Sequence, residues 1–183
     1  MVALRLACGF ALPELLVALA ILGFVLAGVF GFVKLGVTTY VSGAARVEAQ
    51  QAARVGLDRM MRELREAGYD PTGAGIAPIV TAAADRVTFQ RDLNKNGVVD
   101  ATSERVTFLL RPGESILRRD AGAGAQPIIQ GVRRLRLIYF DRAGAPTTDP
   151  ALVASIHISL AVGLAGPESI VESQVTLRNY RDR

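Results

Sequence analysis

Hydrophobic and polar positions change their period twice along this chain. From Leu15 to Val33 no residue is charged, and the run is rich in Leu, Ala, Val, Ile and Phe. At 1.5 Å per residue a helix of this run spans roughly 30 Å, the thickness of a bilayer's hydrocarbon core. Further on, Leu57, Met60, Met61, Leu64 and Ala67 recur at the spacing of one helix face. Asp58 with Arg62, Arg59 with Glu63 and Arg62 with Glu66 set opposite charges one turn apart. This second half is amphipathic, its apolar stripe needs a partner surface such as a sheet in the same chain, and Gly68 is the stop signal. A single helix over 10–68 would be about 88 Å long. Gly23, Ala27 and Gly31 fall four apart. They read either as a small-residue stripe for close packing against neighbouring helices or as local weakening, to which Gly28, Gly36 and Gly43 would add.

Residues 69–84 are rich in Gly, Pro and Ala and have no helical period, so they read as a connecting loop. Period two then takes over. Val87 and Phe89 alternate with Arg86, Thr88 and Gln90, while Val106, Phe108 and Leu110 alternate with Arg105, Thr107 and Arg111. A short strand follows at Ile116 to Arg119, and Val132 to Phe140 puts Leu135, Leu137 and Tyr139 on one face. Ile156, Ile158, Leu160 and Val162 form another apolar row, and a last strand is expected around Ile170 to Arg178. The sum is a helix packed on a mostly antiparallel sheet, an α+β head without internal repeats.

Composition narrows the chemistry. The chain has 183 residues, enough for one ordinary domain plus an appendage, and 50% are hydrophobic, which excludes a disordered chain. With 18 Gly and 8 Pro it is not collagen-like. One cysteine and one histidine allow no intrachain disulfide and no Cys/His zinc cluster, and leave histidine-dependent chemistry to His157 alone. Ser155 and Ser159 flank His157 on one strand face, side by side and with no carboxylate near in sequence, so this is a polar sheet face. No residue set supports catalysis, and the chain is expected not to be an enzyme. The net charge of +4 is spread thinly along the chain. Arg118, Arg119, Arg133, Arg134 and Arg136 form a basic cluster that could meet nucleic-acid phosphates, but only Tyr139 and Phe140 are close aromatics. A solvated strand face or a protein contact is favoured over nucleic acid.

The front edge of the apolar run is unusual. A secretory signal places its cations before a shorter apolar run and a cleavage site after it. Here the short piece Met1 to Gly9, with Arg5 as its cation, comes first, and Glu14 lies inside the apolar segment. An intramembrane carboxylate is costly unless a cation neutralises it. An ordinary signal anchor would have Glu14 reach to the interface instead. Cys8 has no apolar region before it that would mark lipidation.

The run from Gly9 to Ile21, GFALPELLVALAI, resembles the signal of type IV prepilins and type II secretion pseudopilins. The resemblance implies removal of leader 1–9 by a prepilin peptidase between Gly9 and Phe10, N-methylation of Phe10, and retention of Glu14 for assembly. Ala11 stands where that family often has Thr. Physically, the new ammonium of one subunit can neutralise Glu14 of its neighbour inside an apolar filament core. RELREAGYD and the strand pair around DLNKNG resemble the PilW-type, PulJ-like minor pilins. The implied fold is type IV pilin-like, α+β, with a filament helix and stem at 10–68 and a globular head at 69–183.

Between the first two strands, Asp92, Asn94 and Asn96 place side-chain oxygens at positions 1, 3 and 5, ahead of Gly97 at 6, the Val98 carbonyl at 7 and Asp100 at 9. This matches the front of a calcium loop, although position 12 is Ser103 and Glu104 falls one residue late. Asn96-Gly97 between alternating strands is equally a hairpin-turn signal.

The function these features lead us to expect is that of a minor pilin of a type IV pilus, active in pilus initiation or tip assembly. It would sit in the inner membrane before assembly and at the periplasm or cell surface afterwards. Its partners would be prepilin peptidase, other major and minor pilins and the inner-membrane assembly machinery. The alternatives are a type II secretion minor pseudopilin and a membrane-anchored module binding DNA or surfaces.

Overall fold

The structure, a computed structural model, describes residues 12–163 and 168–179. The leader, Gly9 and Phe10 lie outside the described residues. The chain divides into two compact units, Met1–Gly43 and Ala44–Arg183. One helix, α1 (Leu12–Arg65), runs through both. Eight strands follow: β1 (Ile79–Ala82), β2 (Arg86–Gln90), β3 (Arg105–Leu110), β4 (Ile116–Asp120), β5 (Gln126–Gln130), β6 (Val132–Phe140), β7 (Ser155–Val162) and β8 (Ser169–Thr176). A short 3₁₀ helix, Pro150–Leu152, precedes β7 and is capped by the Asp149 side chain, which accepts from the Ala151 amide.

In the first unit every described residue of α1 is exposed. It is the one described helix long and apolar enough to cross a membrane. Two of its hydroxyl residues bond locally: Thr38 donates to the carbonyls of Lys34 and Leu35, and Ser42 to that of Thr38. Such back-bonding lets polar side chains sit in an apolar helix.

In the second unit the strands form two antiparallel sheets, β1-β2-β3-β4-β5 and β6-β7-β8, in place of the single sheet the alternation suggested. The arrangement is α+β and consistent with a type IV pilin-like fold. Ala53, Leu57, Met60 and Leu64 of α1 share one core with Val87, Phe89, Val106 and Phe108 of the first sheet and Ile156, Ile158 and Leu160 of the second. The Phe89 and Phe108 rings stack with centroids 6.1 Å apart. The alternation read in β6 and β7 holds, with Leu135, Leu137, Tyr139, Ile156, Ile158 and Leu160 all buried. β2 departs from it, because Thr88 and Gln90 are buried as well; Thr88 shares a hydroxyl hydrogen bond of 2.9 Å with Thr107 of β3.

α1 ends at Arg65, a little before the glycine expected to stop it. Two short-range bonds close the last turn, from the Glu66 amide to Glu63 and from the Ala67 amide to Leu64. Gly68 then takes φ +74, where a Cβ would lie 2.7 Å from Pro78. Only glycine fits both demands. Its amide donates to the Gln90 carbonyl, tying the helix exit to the end of β2.

Two strands were not visible in the sequence pattern. β1 lies inside the stretch read as loop, and β5 contains Pro127. Both are edge strands of the larger sheet, and an edge is where a residue lacking an N–H is tolerated. Truncating Phe108 to Ala, which empties the centre of the shared core, is expected to destabilise the second unit by about 3–5 kcal/mol. Thermal melts of the detergent-solubilised chain, followed by circular dichroism, measure it.

Candidate functional site

The residues that carry chemistry fall at three places: the apolar helix of the first unit, the loop between β2 and β3, and the arginines of the second unit. On the helix, Glu14 is the only charged residue from Leu12 to Val33, and it is exposed. Leu15, Leu16, Leu19, Leu22, Phe24, Phe30 and Phe32 around and beyond it are exposed too. An apolar surface of this extent needs lipid or other protein to cover it.

The β2–β3 connection covers 91–104 and is far longer than the tight Asn-Gly turn that was one expectation. Two buried carboxylates hold it from within. Asp92 accepts from the amides of Lys95 and Asn96 on one oxygen and of Gly97 on the other. Glu104 accepts from Leu93 and Asn94 on one oxygen and from Asp100 on the other. The Asn94 and Asn96 side-chain oxygens accept the amides two residues on, while the Asn94 amide group donates to Asp100. The Asp92, Asn94, Asn96 and Asp100 side-chain oxygens expected to face calcium thus each also accept an N–H of the loop itself. Among the described residues no group of three or more His, Cys, Asp or Glu is arranged to hold a metal.

Glu104 was noted as one residue late for a calcium loop. Its role follows from that offset, because the side chain turns under the loop. Amides from Asp100 and Asn94 lead in holding its carboxyl below the usual range, against the opposing effect of burial and with help from Leu93 and Arg91. Asp70 plays the same part in the preceding connection. Burial pushes its pKa up, but the amides of Gly75 and Ala74, the Thr72 hydroxyl and the Ile76 amide together bring it down to about 2. The signal for it was the Asp-Pro-Thr-Gly sequence at 70–73, a side-chain-closed turn.

The arginines do not form one basic face. Arg118 pairs with Glu114 at 3.0 Å, Arg119 with Glu63 at 2.8 Å, and Arg133 and Arg134 approach Glu168 at 4.0 and 3.6 Å. Arg136 alone of the five has no partner among the described residues. On α1 the Arg59–Glu63 pair forms at 3.1 Å, whereas Glu66 turns to Arg91 and leaves Arg62 unpaired among the described residues. Arg91 is buried, lies 5.8 Å from the centre of the Phe89 ring, and is also 3.9 Å from Glu63. His157 meets a carboxylate after all: strand register brings Glu172 of β8 within 3.9 Å. The Ser155 hydroxyl accepts from the Gln174 side-chain amide at 3.2 Å.

A family model for the prokaryotic N-terminal methylation motif matches residues 4–30. The chain carries a prepilin-type N-terminus. The motif spans the Gly9–Phe10 junction, Glu14 and most of the uncharged run, and it supports a prepilin- or pilin-like protein that is a structural subunit rather than an enzyme. A motif of this kind implies processing by prepilin peptidase and assembly with other pilins in a membrane machinery. Comparison with curated proteins gives no match.

The buried carboxylates give a pH dependence with a definite sign. A carboxyl whose folded pKa is depressed adds stability above its unfolded pKa and loses it as pH falls through the folded value. With Asp70 at about 2 against an ordinary 3.8, the chain should lose stability as pH drops below about 4 towards 2. Asp70→Asn should flatten the melting temperature over that window. Glu104→Gln, which sets an amide N–H₂ against an N–H donor, should cost about 1–3 kcal/mol at neutral pH. A melting temperature equally steep between pH 4 and 2 in Asp70→Asn would show that other groups govern the acid limb.

Proposed function

We propose that this chain is a minor pilin, inserted in the inner membrane through its N-terminal helix and then packed through that helix into a type IV pilus, at its initiation or tip. The observation that carries the reading is the methylation motif at 4–30, running into a helix whose apolar residues from Leu12 to Val33 are all exposed among the described residues. In this proposal residues 1–9 are a leader, cleavage falls between Gly9 and Phe10, and Phe10 is N-methylated. The ammonium of one subunit then neutralises Glu14 of the next, because two opposite charges in an apolar filament core are tolerated only together. The helical stem to residue 68 and the head at 69–183 are the parts so assembled. The assembled subunit would lie at the periplasm or cell surface. A pseudopilus of type II secretion would use the same helix and motif.

Mass spectrometry of the chain extracted from membranes, with and without prepilin peptidase, tests this. The expected product lacks the first nine residues and begins at N-methylated Phe10. A chain that keeps Met1 to Gly9 in the presence of active peptidase overturns the reading. In a strain with an intact assembly machinery, Glu14→Ala should still be cleaved but should fall out of sheared filaments.

Calcium at Asp92, Asn94, Asn96, Val98 and Asp100 is a separate proposal, resting on their spacing. Its test is the melting temperature of the full chain in detergent with millimolar calcium against chelator. A rise that Asp100→Asn abolishes would place the ion in the loop. An unchanged melt would leave the loop to Asp92 and Glu104 alone.

A further inference from the structure

Three arginines with no acidic partner among the described residues line a single open cavity of about 380 Å³: Arg62 and Arg65 from the last turn of α1, and Arg178 from the segment after β8. Glu66, Tyr69 and Asn179 complete its wall. Cations in the last turn of a helix answer the negative end of its dipole. That accounts for Arg62 and Arg65, but not for Arg178, which arrives from the other end of the second unit's sequence. The one acid in the lining is already engaged, since Glu66 binds the Arg91 guanidinium. Asn179 is held in place by donating to the Ala67 carbonyl at 3.3 Å. Elsewhere on the head Arg118, Arg119, Arg133 and Arg134 each have a carboxylate, so this gathering of unpaired guanidinium groups stands apart.

We propose that this cavity docks an acidic segment of a partner protein, two of whose carboxylates face the guanidinium groups. The inference rests on these residues alone and is independent of the filament reading. With Glu66 already taken up by Arg91, the positive charge of the three lining guanidinium groups is left for carboxylates from outside the chain to balance. The site is open, and single exposed ion pairs contribute little. A free small anion gains only one such set of contacts. A peptide segment carries two carboxylates on one backbone and lays apolar stem atoms on Tyr69, which sums several small contributions. Each guanidinium can accept a carboxylate through two parallel N–H bonds.

The test uses the full chain in neutral detergent micelles and a dye-labelled hexaglutamate peptide, followed by fluorescence anisotropy, with hexalysine as the charge control and inorganic phosphate as competitor. Saturable binding of the glutamate peptide at low salt is expected, weakened about tenfold by Arg62→Ala with Arg178→Ala. Arg136→Ala, an exposed arginine outside the cavity, should bind as the parent does. Arg62→Glu with Arg178→Glu should shift preference to the lysine peptide, and circular dichroism checks that each variant is folded. The proposal is overturned by absence of saturable binding, by equal loss in Arg136→Ala, or by phosphate displacing the glutamate peptide as effectively as unlabelled peptide does.

Discussion

The second unit depends on the burial of one stripe of α1. Ala53, Met60 and Leu64 are wholly buried, and both sheets supply the side chains that cover the stripe. Serving two sheets at once demands a graded surface, small where a strand comes close and large where there is depth to fill. Gly56 marks the closest approach, since a Cβ there would lie 2.3 Å from the Ile129 side chain of β5. Beside the stripe, Glu63 is the polar counterpart, with Arg59 on its own helix, Arg119 of β4, and Arg91 just past β2. Removing Glu63 would take the shared carboxylate from Arg119 and Arg59, and partly buried charges are costly to leave without compensation. The helix is thus fastened to the larger sheet by charge as well as by apolar contact.

The same economy of buried charge shapes the loops. The connections at 69–78 and 91–104 have little regular structure, and each is folded around acids that accept backbone amides. Asp70 gathers those of Ala74, Gly75 and Ile76, and Asp92 and Glu104 gather six between them. The two connections also meet, through the Asp92 amide on the Tyr69 carbonyl at 2.7 Å. A loop with otherwise unmet N–H groups could not pack this closely, and a carboxylate is the one short side chain able to accept several of them. Loop rigidity here comes from side chains pointing inward.

Much of this was legible in residue order. The uncharged run, the amphipathic stripe and the strands carrying Val87, Phe108, Leu137 and Ile158 all follow periods that packing enforces. What escaped depended on the third dimension. β1 and β5 are short, and Pro127 disguised the latter. The division into two sheets is a matter of pairing, which alternation along a single strand does not encode. Glu104 looked like a misplaced ligand because its hydrogen bonds reach back to Leu93 and Asn94. The arginine cluster looked continuous because neighbours in sequence were counted together, whereas Glu63, Glu114 and Glu168 separate them in space. Conversely, Arg62, Arg65 and Arg178 were never read as a group, since nothing in their spacing brings them to one cavity.

The first unit presents the opposite problem, an apolar helix with no core of its own. Lipid or neighbouring helices can cover it, and these two environments are nearly equal in apolarity. Moving such a helix from a bilayer into a bundle of like helices therefore brings little hydrophobic gain, and apolar side chains alone distinguish poorly between one axial register and another. A polar group does distinguish them, because its cost when unmatched is paid at every register but one. From Leu12 to Val33 Glu14 is the only charged side chain. In the proposed filament its alignment would be decided by where a compensating cation meets that carboxylate. A cation created at the chain's own new N-terminus, a few residues away, would supply the match in every identical neighbour at once.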